Sequence, residues 1–205
     1  MKKKLISLII GTRPEAIKLA PLIKTFQKSN LFNTRIILTG QHQEMVYQVL
    51  SLFKIKEDNN LEIMSKEQTL ENITSLIINR MREEFLNFTP ELVVVQGDTS
   101  SAFVGALSAF YQKINVAHVE AGLRTNNKLD PYPEEMNRRL ISQIASLHFA
   151  PTKNAKNNLF NEGIKKNVFL TGNTVIDALN HILLRAKRPN YKDLNWDKDI
   201  VIFAT

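Results

Sequence analysis

Asp98 and Glu120 each stand at the end of a short apolar run, the first after LVVVQ-Gly97 and the second after VAHV. Glu134 follows Pro131-Tyr132-Pro133, with Arg138 and Arg139 close behind it. Carboxyl groups beside guanidinium groups are the equipment for moving a proton next to an anionic substrate. Whether these side chains meet depends on the elements that carry them. The runs at 92–96 and 116–119 are rich in β-branched residues and read as buried parallel strands. Between them, residues 99–113 are Ala/Ser/Phe-rich and long enough for the helical crossover of a βαβ unit. Parallel strands place their carboxyl ends along one sheet edge, where open α/β sheets bind ligands. Asp98 and Glu120 are therefore expected side by side there, with the next loop bringing Glu134 and Arg138 to them.

Each of these residues also has an ordinary account. Asp98 has the residue type of an N-cap for the helix that follows. Glu134 suits the first turn of a helix, and Arg138, four residues on, suits a surface pair with it. Arg13 follows a strand-to-helix turn whose free N–H groups favour anions, but it could equally be solvated while Thr12, Pro14 and Glu15 cap the helix. Glu120 is harder to dismiss, because a carboxylate ending a buried strand needs a charged or hydrogen-bonding partner.

The rest of the chain supplies a scaffold of the same kind. Strands are predicted at 5–10, 34–39, 148–150 and 167–170, and helices from the Gly11–Glu15 turn to about 28 and over 43–53, 70–88, 134–146, 153–162 and 174–186. Thr12-x-x-Glu15 has capping-box spacing with Pro14 in the first turn. Residues 58–60 read as a polar break. This regular alternation predicts an α/β fold, a doubly wound parallel sheet of Rossmann-like type. A polar linker over 187–198 leads to one more strand at 200–204. The expected organisation is thus a catalytic domain over 1–171, and then a connecting helix, linker and first strand of an incomplete second domain over 172–205.

Composition excludes several classes. The chain has 205 residues, 43% of them apolar, and can bury a full core. Without cysteine it has neither disulfides nor thiolate metal sites, which fits a reducing cytoplasm. The apolar run after MKKK is too short for a signal peptide and meets Gly-Thr-Arg-Pro-Glu, and no stretch approaches the ~20 apolar residues of a membrane span. The net charge of +7 is scattered and lacks interleaved aromatics, so no nucleic-acid partner is expected. His42, His118, His148 and His181 show no metal-ligand spacing, and no metal site is predicted. His118 reads as a hydrogen-bonded core histidine. The G-x-G-x-x-G, phosphate-loop and G-x-S-x-G motifs are all absent.

GTRPEAIKLAPLI, TGQHQEM, VVVQGDTSSAF, VAHVEAGLRT, PYPEEMNRR and FLTGNTVIDAL, in this order, resemble the non-hydrolysing UDP-N-acetylglucosamine 2-epimerases of bacteria. The resemblance covers nearly all of residues 5–186. It implies the N-terminal half of a two-domain fold of the glycosyltransferase-B type, with a UDP-sugar in the cleft and no cofactor. The implied reaction interconverts UDP-N-acetylglucosamine and UDP-N-acetylmannosamine, which feeds cell-surface polysaccharides, by elimination of UDP to 2-acetamidoglucal and its re-addition. Asp98, Glu120 and Glu134 match the family's catalytic carboxylates, and Arg13, Lys18 and Arg138 match positions lining the substrate and phosphate region. Gln41 and His42 resemble residues of an allosteric site for a second UDP-N-acetylglucosamine. There this chain has Glu44 and Glu67 where a close relative offers glutamine and arginine. The resemblance also implies a homodimer, and a histidine segment beyond residue 205. Two alternatives accompany this reading: the hydrolysing epimerase, against which GTRPEA and GQHQEM argue, and a truncated, non-catalytic binding module.

Overall fold

The computed structural model describes residues 3–41, 43–64, 69–184 and 186. His42, Glu67, the predicted linker at 187–198 and the predicted strand at 200–204 lie outside the described residues. In chain order the elements are β1 (Lys4–Ile10), α1 (Arg13–Lys28), β2 (Phe32–Leu38), α2 (Gln43–Leu52), β3 (Asn59–Asn60), α3 (Leu70–Asn87), β4 (Leu92–Gln96), α4 (Ser100–Tyr111), β5 (Asn115–Val119), α5 (Glu134–Ile144), β6 (Leu147–Ala150), α6 (Lys153–Asn161), β7 (Val168–Leu170) and α7 (Val175–Leu183). The polar break expected at 58–60 contains the two-residue edge strand β3, which continues the sheet by pairing Asn59 with Ile37.

All seven strands are parallel, in the order β3-β2-β1-β4-β5-β6-β7. The order reverses between β1 and β4, and a doubly wound sheet opens its ligand crevice at such a switch point. Side-chain alternation explains why the strands read as continuous apolar runs, because both faces are covered. Leu8, Ile10, Ile36, Leu38 and Val94 pack on one face with Leu19 and Ile23 of α1 and Leu50 of α2. Ile9, Ile37, Val93 and Val95 pack on the other with Ile77, Met81 and Phe85 of α3 and Val104 and Ala106 of α4. The last helix, α7, lies on the first face, where its Ala178 is buried and the His181 ring stacks on Phe53 at 5.0 Å.

The switch point is closely packed. Gly11, directly after β1, approaches α4 so nearly that a Cβ there would meet Ser101 Oγ at 2.3 Å. Any larger residue would push the first turns of α1 and α4 apart, and both border the crevice.

Candidate active site

The β4–α4 turn settles which account of Asp98 holds. Thr99, not Asp98, is the N-cap of α4: its hydroxyl accepts from Ala102 N–H at 3.0 Å. The Asp98 carboxylate is thereby left to face α5, where Arg138 Nη2 donates to Oδ2 at 2.6 Å. The adjacent Asn137 donates through Nδ2 to the Asp98 carbonyl at 2.9 Å, so two neighbouring residues of α5 fix the turn. Burial raises the Asp98 carboxyl above its ordinary range, against the pull of Arg138, and the fields of Glu134 and Glu120 push it the same way. Glu120 and Glu134 therefore both lie within electrostatic reach of Asp98.

Glu120 follows β5 with its backbone in the left-handed region, φ 66°. A non-glycine residue holds that conformation at a cost of about 1–3 kcal/mol, and only where its surroundings over-determine it. Here they do. Lys18 Nζ of α1 donates to Oε2 at 2.6 Å, Gln96 Nε2 at the end of β4 donates to the same oxygen, and Asn173 Nδ2 donates to Oε1 at 2.8 Å. All three partners are donors, the set that an acceptor-only, ionised carboxylate satisfies. Two residues on, Gly122 has φ 88° and lies so close to α6 that a Cβ would meet the Ala155 carbonyl oxygen at 2.1 Å.

Glu134 is the first residue of α5 and half-buried. It makes no ion pair or hydrogen bond among the described residues, so the surface pair with Arg138 that their spacing allows does not form. Arg138 instead serves Asp98, and its Nη1 lies 3.3 Å from Glu135 Oε2. Fully buried Glu135 also accepts from Arg139 Nε at 2.8 Å and from Thr125 N–H at 3.0 Å, which pins the long loop between β5 and α5.

The start of α1 departs from expectation in one respect. The Thr12/Glu15 capping box forms, and the Glu15 carboxylate takes the N–H of Thr12 and also that of Gly11, at 2.8 Å. Those two N–H groups are therefore occupied from within the chain, not free to hold an anion. Thr99 Oγ1 donates to the other Glu15 oxygen at 2.6 Å, which joins the turn before α1 to the turn before α4. Burial pushes the Glu15 carboxyl up, against the hydrogen bonds from Thr99, Thr12 and Gly11. The cation left over at this end is Arg13, exposed and without an ion-pair partner among the described residues.

Gln41 also reaches this edge, accepting from Ser101 Oγ at 2.9 Å. Thr39 Oγ1 lies 2.9 Å from the same hydroxyl. His118 is the buried core histidine expected: Nε2 donates to the Gly97 carbonyl at 2.7 Å, and burial lowers its pKa to about 3, so the ring is neutral. Among the described residues no group of three or more His, Cys, Asp or Glu is placed to hold a metal ion, and no helix is long and apolar enough to cross a membrane.

Sequence reasoning thus names Asp98, Glu120, Lys18 and Arg138, which the fold brings together, and Glu134, which it brings into their electrostatic field. It misses Gln96 and Asn173. The signals for them were slight: a polar residue closing an otherwise apolar strand, and an asparagine in a Gly-Asn-Thr turn after a strand of the same sheet.

The sequence profile described as UDP-N-acetylglucosamine 2-epimerase matches residues 24–204. The UDP-N-acetylglucosamine 2-epimerase of Bacillus subtilis (strain 168) is 51% identical over 206 residues, covering 100% of this chain and 54% of that protein. The crystal structure of UDP-GlcNAc 2-epimerase from Neisseria meningitidis bound to UDP-GlcNAc superposes with a TM-score of 0.85 at 50% identity, covering 88% of this chain and 50% of that one. A lipopolysaccharide outer core galactosyltransferase, 14% identical with a TM-score of 0.59 over 82% of this chain and 45% of its own, shares the fold alone. The chain spans about half the length of the relatives it matches. An acid-rich edge at the switch point of a parallel sheet, half of all positions identical to named relatives, and a profile match over most of its length together make this chain a member of the UDP-N-acetylglucosamine 2-epimerase family.

Proposed function

We propose that residues 1–171 form the acid–base half of an enzyme that interconverts UDP-N-acetylglucosamine and UDP-N-acetylmannosamine. Residues 172–205 then lead into a second domain of a glycosyltransferase-B type cleft. The observation that carries this reading is the convergence of Glu120 and Glu134 on Asp98, with Lys18 paired to Glu120 and Arg138 to Asp98. In the forward half-reaction the C2–H bond of the sugar is broken and its electron pair forms the C1=C2 bond. The C1–O bond to the diphosphate breaks, giving 2-acetamidoglucal and UDP. A proton then returns to C2 from the opposite face, and UDP adds back at C1.

Each residue has a task in this scheme. Glu120, met only by donors, is the carboxylate suited to accept a proton. Asp98, raised by burial and by its acidic neighbours, is the one suited to give a proton. Glu134, without an ion-pair partner among the described residues, adds a negative field to the burial that raises Asp98 and so favours its taking up a proton. Arg13, exposed and without an ion-pair partner among the described residues, is the cation suited to hold the departing diphosphate, together with Lys18 and Arg138. Gln41 lies one hydrogen bond from α4, where an activator site with His42 would act. The reaction needs no cofactor or metal, and the absence of cysteine suits a cytoplasmic enzyme.

Incubation with UDP-N-acetylglucosamine in heavy water tests the reading. A version of the chain extended to the full length of its relatives is expected to place deuterium on C2 of the recovered UDP-sugars. Residues 1–205 alone are expected to turn over negligibly, because closure around the substrate needs both halves. No exchange by the extended protein, or release of free N-acetylmannosamine in place of a UDP-sugar, overturns it.

A further inference from the structure

Glu120 is held by three elements, and the third of them has no place in the scheme above. Lys18 comes from α1 and Gln96 from β4, but Asn173 comes from the turn between β7 and α7, far along the chain. Its amide is used at both ends. Nδ2 donates to Glu120 Oε1 at 2.8 Å, while Oδ1 accepts from Val175 N–H at 3.1 Å and so organises the start of α7. That helix packs against α1 through Ala178 and partly buried Ile182. The contacts close a ring: α1 carries Lys18 to Glu120, Glu120 is tied to Asn173, Asn173 starts α7, and α7 rests on α1. Glu120 itself stands in the left-handed backbone conformation, which needs such over-determination to persist.

We infer that Asn173 is a positioning residue for Glu120: it orients the carboxylate for proton transfer and makes that orientation depend on the docking of α7. The inference deepens the proposed function and rests on it for the word positioning, but the contact is testable without turnover. The groups facing Glu120 are Lys18, Gln96 and Asn173, with Asp98 in its electrostatic field. Asn173→Asp is the informative change. It keeps the acceptor for Val175 N–H and so the start of α7, but it turns the donor to Glu120 into a second carboxylate oxygen. A like charge at that distance favours the protonated form of Glu120. Asn173→Ala removes both bonds at once.

Two measurements decide the matter. In residues 1–205 with 13C-labelled glutamate, the Glu120 carboxyl signal is assigned by its loss in Glu120→Gln and followed against pH. Asn173→Asp is expected to move its midpoint up by at least about one pH unit; an unmoved midpoint overturns the inference whatever the enzyme does. In the extended protein, Asn173→Asp is expected to lower kcat about 10–100-fold, the scale of a small misplacement of a reacting group, with KM little changed. Its acid limb should move up and its Tm fall by no more than a few degrees, the linked cost of the raised midpoint. Unchanged kcat, or a loss that follows Tm alone in both variants, also overturns it. If the extended parent shows no exchange at C2, the proposed function fails while the titration still decides the contact.

Discussion

Arg138→Met separates what holds the β4–α4 turn from what keeps Asp98 charged. The guanidinium donates to Asp98 Oδ2 at 2.6 Å, the carboxylate side chain being 26% exposed. A hydrogen bond to a charged group contributes about 1.5–3 kcal/mol, and the partial exposure of Asp98 places this one near 2 kcal/mol. The second partner of Arg138, Glu135, keeps Arg139 and the Thr125 N–H, so little is added there. At pH 8 the variant is expected to lose about 2 kcal/mol, or about 4–8 °C in Tm for a chain of this size. The folded pKa of Asp98 already lies above its unfolded value, so the folded state binds the proton more tightly. Its destabilising share is therefore present at alkaline pH and relieved as pH falls through the folded pKa. Removing Arg138 raises that pKa further, so the loss should be smaller at pH 5 than at pH 8, because a carboxyl that takes up a proton needs no cation. Urea denaturation at the two pH values measures both losses. Adding Asp98→Asn to the variant should abolish the difference between them. A loss equal at both pH values, or greater at pH 5, refutes the reasoning.

Three further outcomes are expected. Glu120→Gln should lower C2 deuterium exchange by about 10²–10⁴-fold in the extended protein, the usual worth of an acid–base group, with far-ultraviolet circular dichroism unchanged; exchange within tenfold of the parent would remove Glu120 from the chemistry. Glu15→Gln keeps an acceptor for Gly11 and Thr12 N–H and should cost under about 1 kcal/mol, whereas Glu15→Ala orphans both and the Thr99 hydroxyl and should cost about 2–3 kcal/mol; equal melting temperatures for the two would contradict the capping account. His118 has a folded pKa of about 3, below its unfolded value near 6.5, so its stabilising share is present above that value and lost as pH falls towards 3. By pH 4 the loss should reach about 3 kcal/mol, and His118→Gln, which can still reach the Gly97 carbonyl, should flatten that part of the stability profile.

The sheet and its helices were legible because both faces are covered, so each strand is a compact β-branched run and each helix keeps its period. β3 was not legible, because Asp58-Asn59-Asn60 has no strand composition and exists as a strand only by pairing with β2. At the candidate site the sequence could name the charged residues but not their partners. Asp98 and Thr99 are adjacent and both suited to cap a helix, and only the fold shows that the threonine does so. Glu134 and Arg138 have the spacing of a helix pair, yet Asp98, forty residues earlier, takes the arginine. Glu15 caps α1 as its spacing predicts, and its second oxygen also reaches Thr99 across the switch point, which no local pattern signals. At Asp98 and Arg138 a distant partner displaces the local one of the same chemistry.

That preference for distant partners has a consequence for charge. Lys18 and Arg138, which by sequence resemble grips for a substrate phosphate, are already matched by Glu120 and Asp98 at 2.6 Å each. In the proposed reaction a diphosphate arriving at this edge would meet two cations neutralised in advance and, among the described residues, a third, Arg13, without an ion-pair partner, and Glu134 as an unmatched acid. The edge is nearly neutral, and nothing in it must be stripped of solvent to become so, because the polar groups behind it already have partners: Glu15, Gln96, Ser101 and Asn137 are all at most 6% exposed. Such a fixed, dry set of dipoles stabilises charge without reorganising at the moment of reaction. Its weak point is also its control. Protonating Asp98 would break its ion pair with Arg138 and leave that cation with Glu135 alone; in the proposed reaction the same step would leave a carboxylic acid in place to return a proton to carbon.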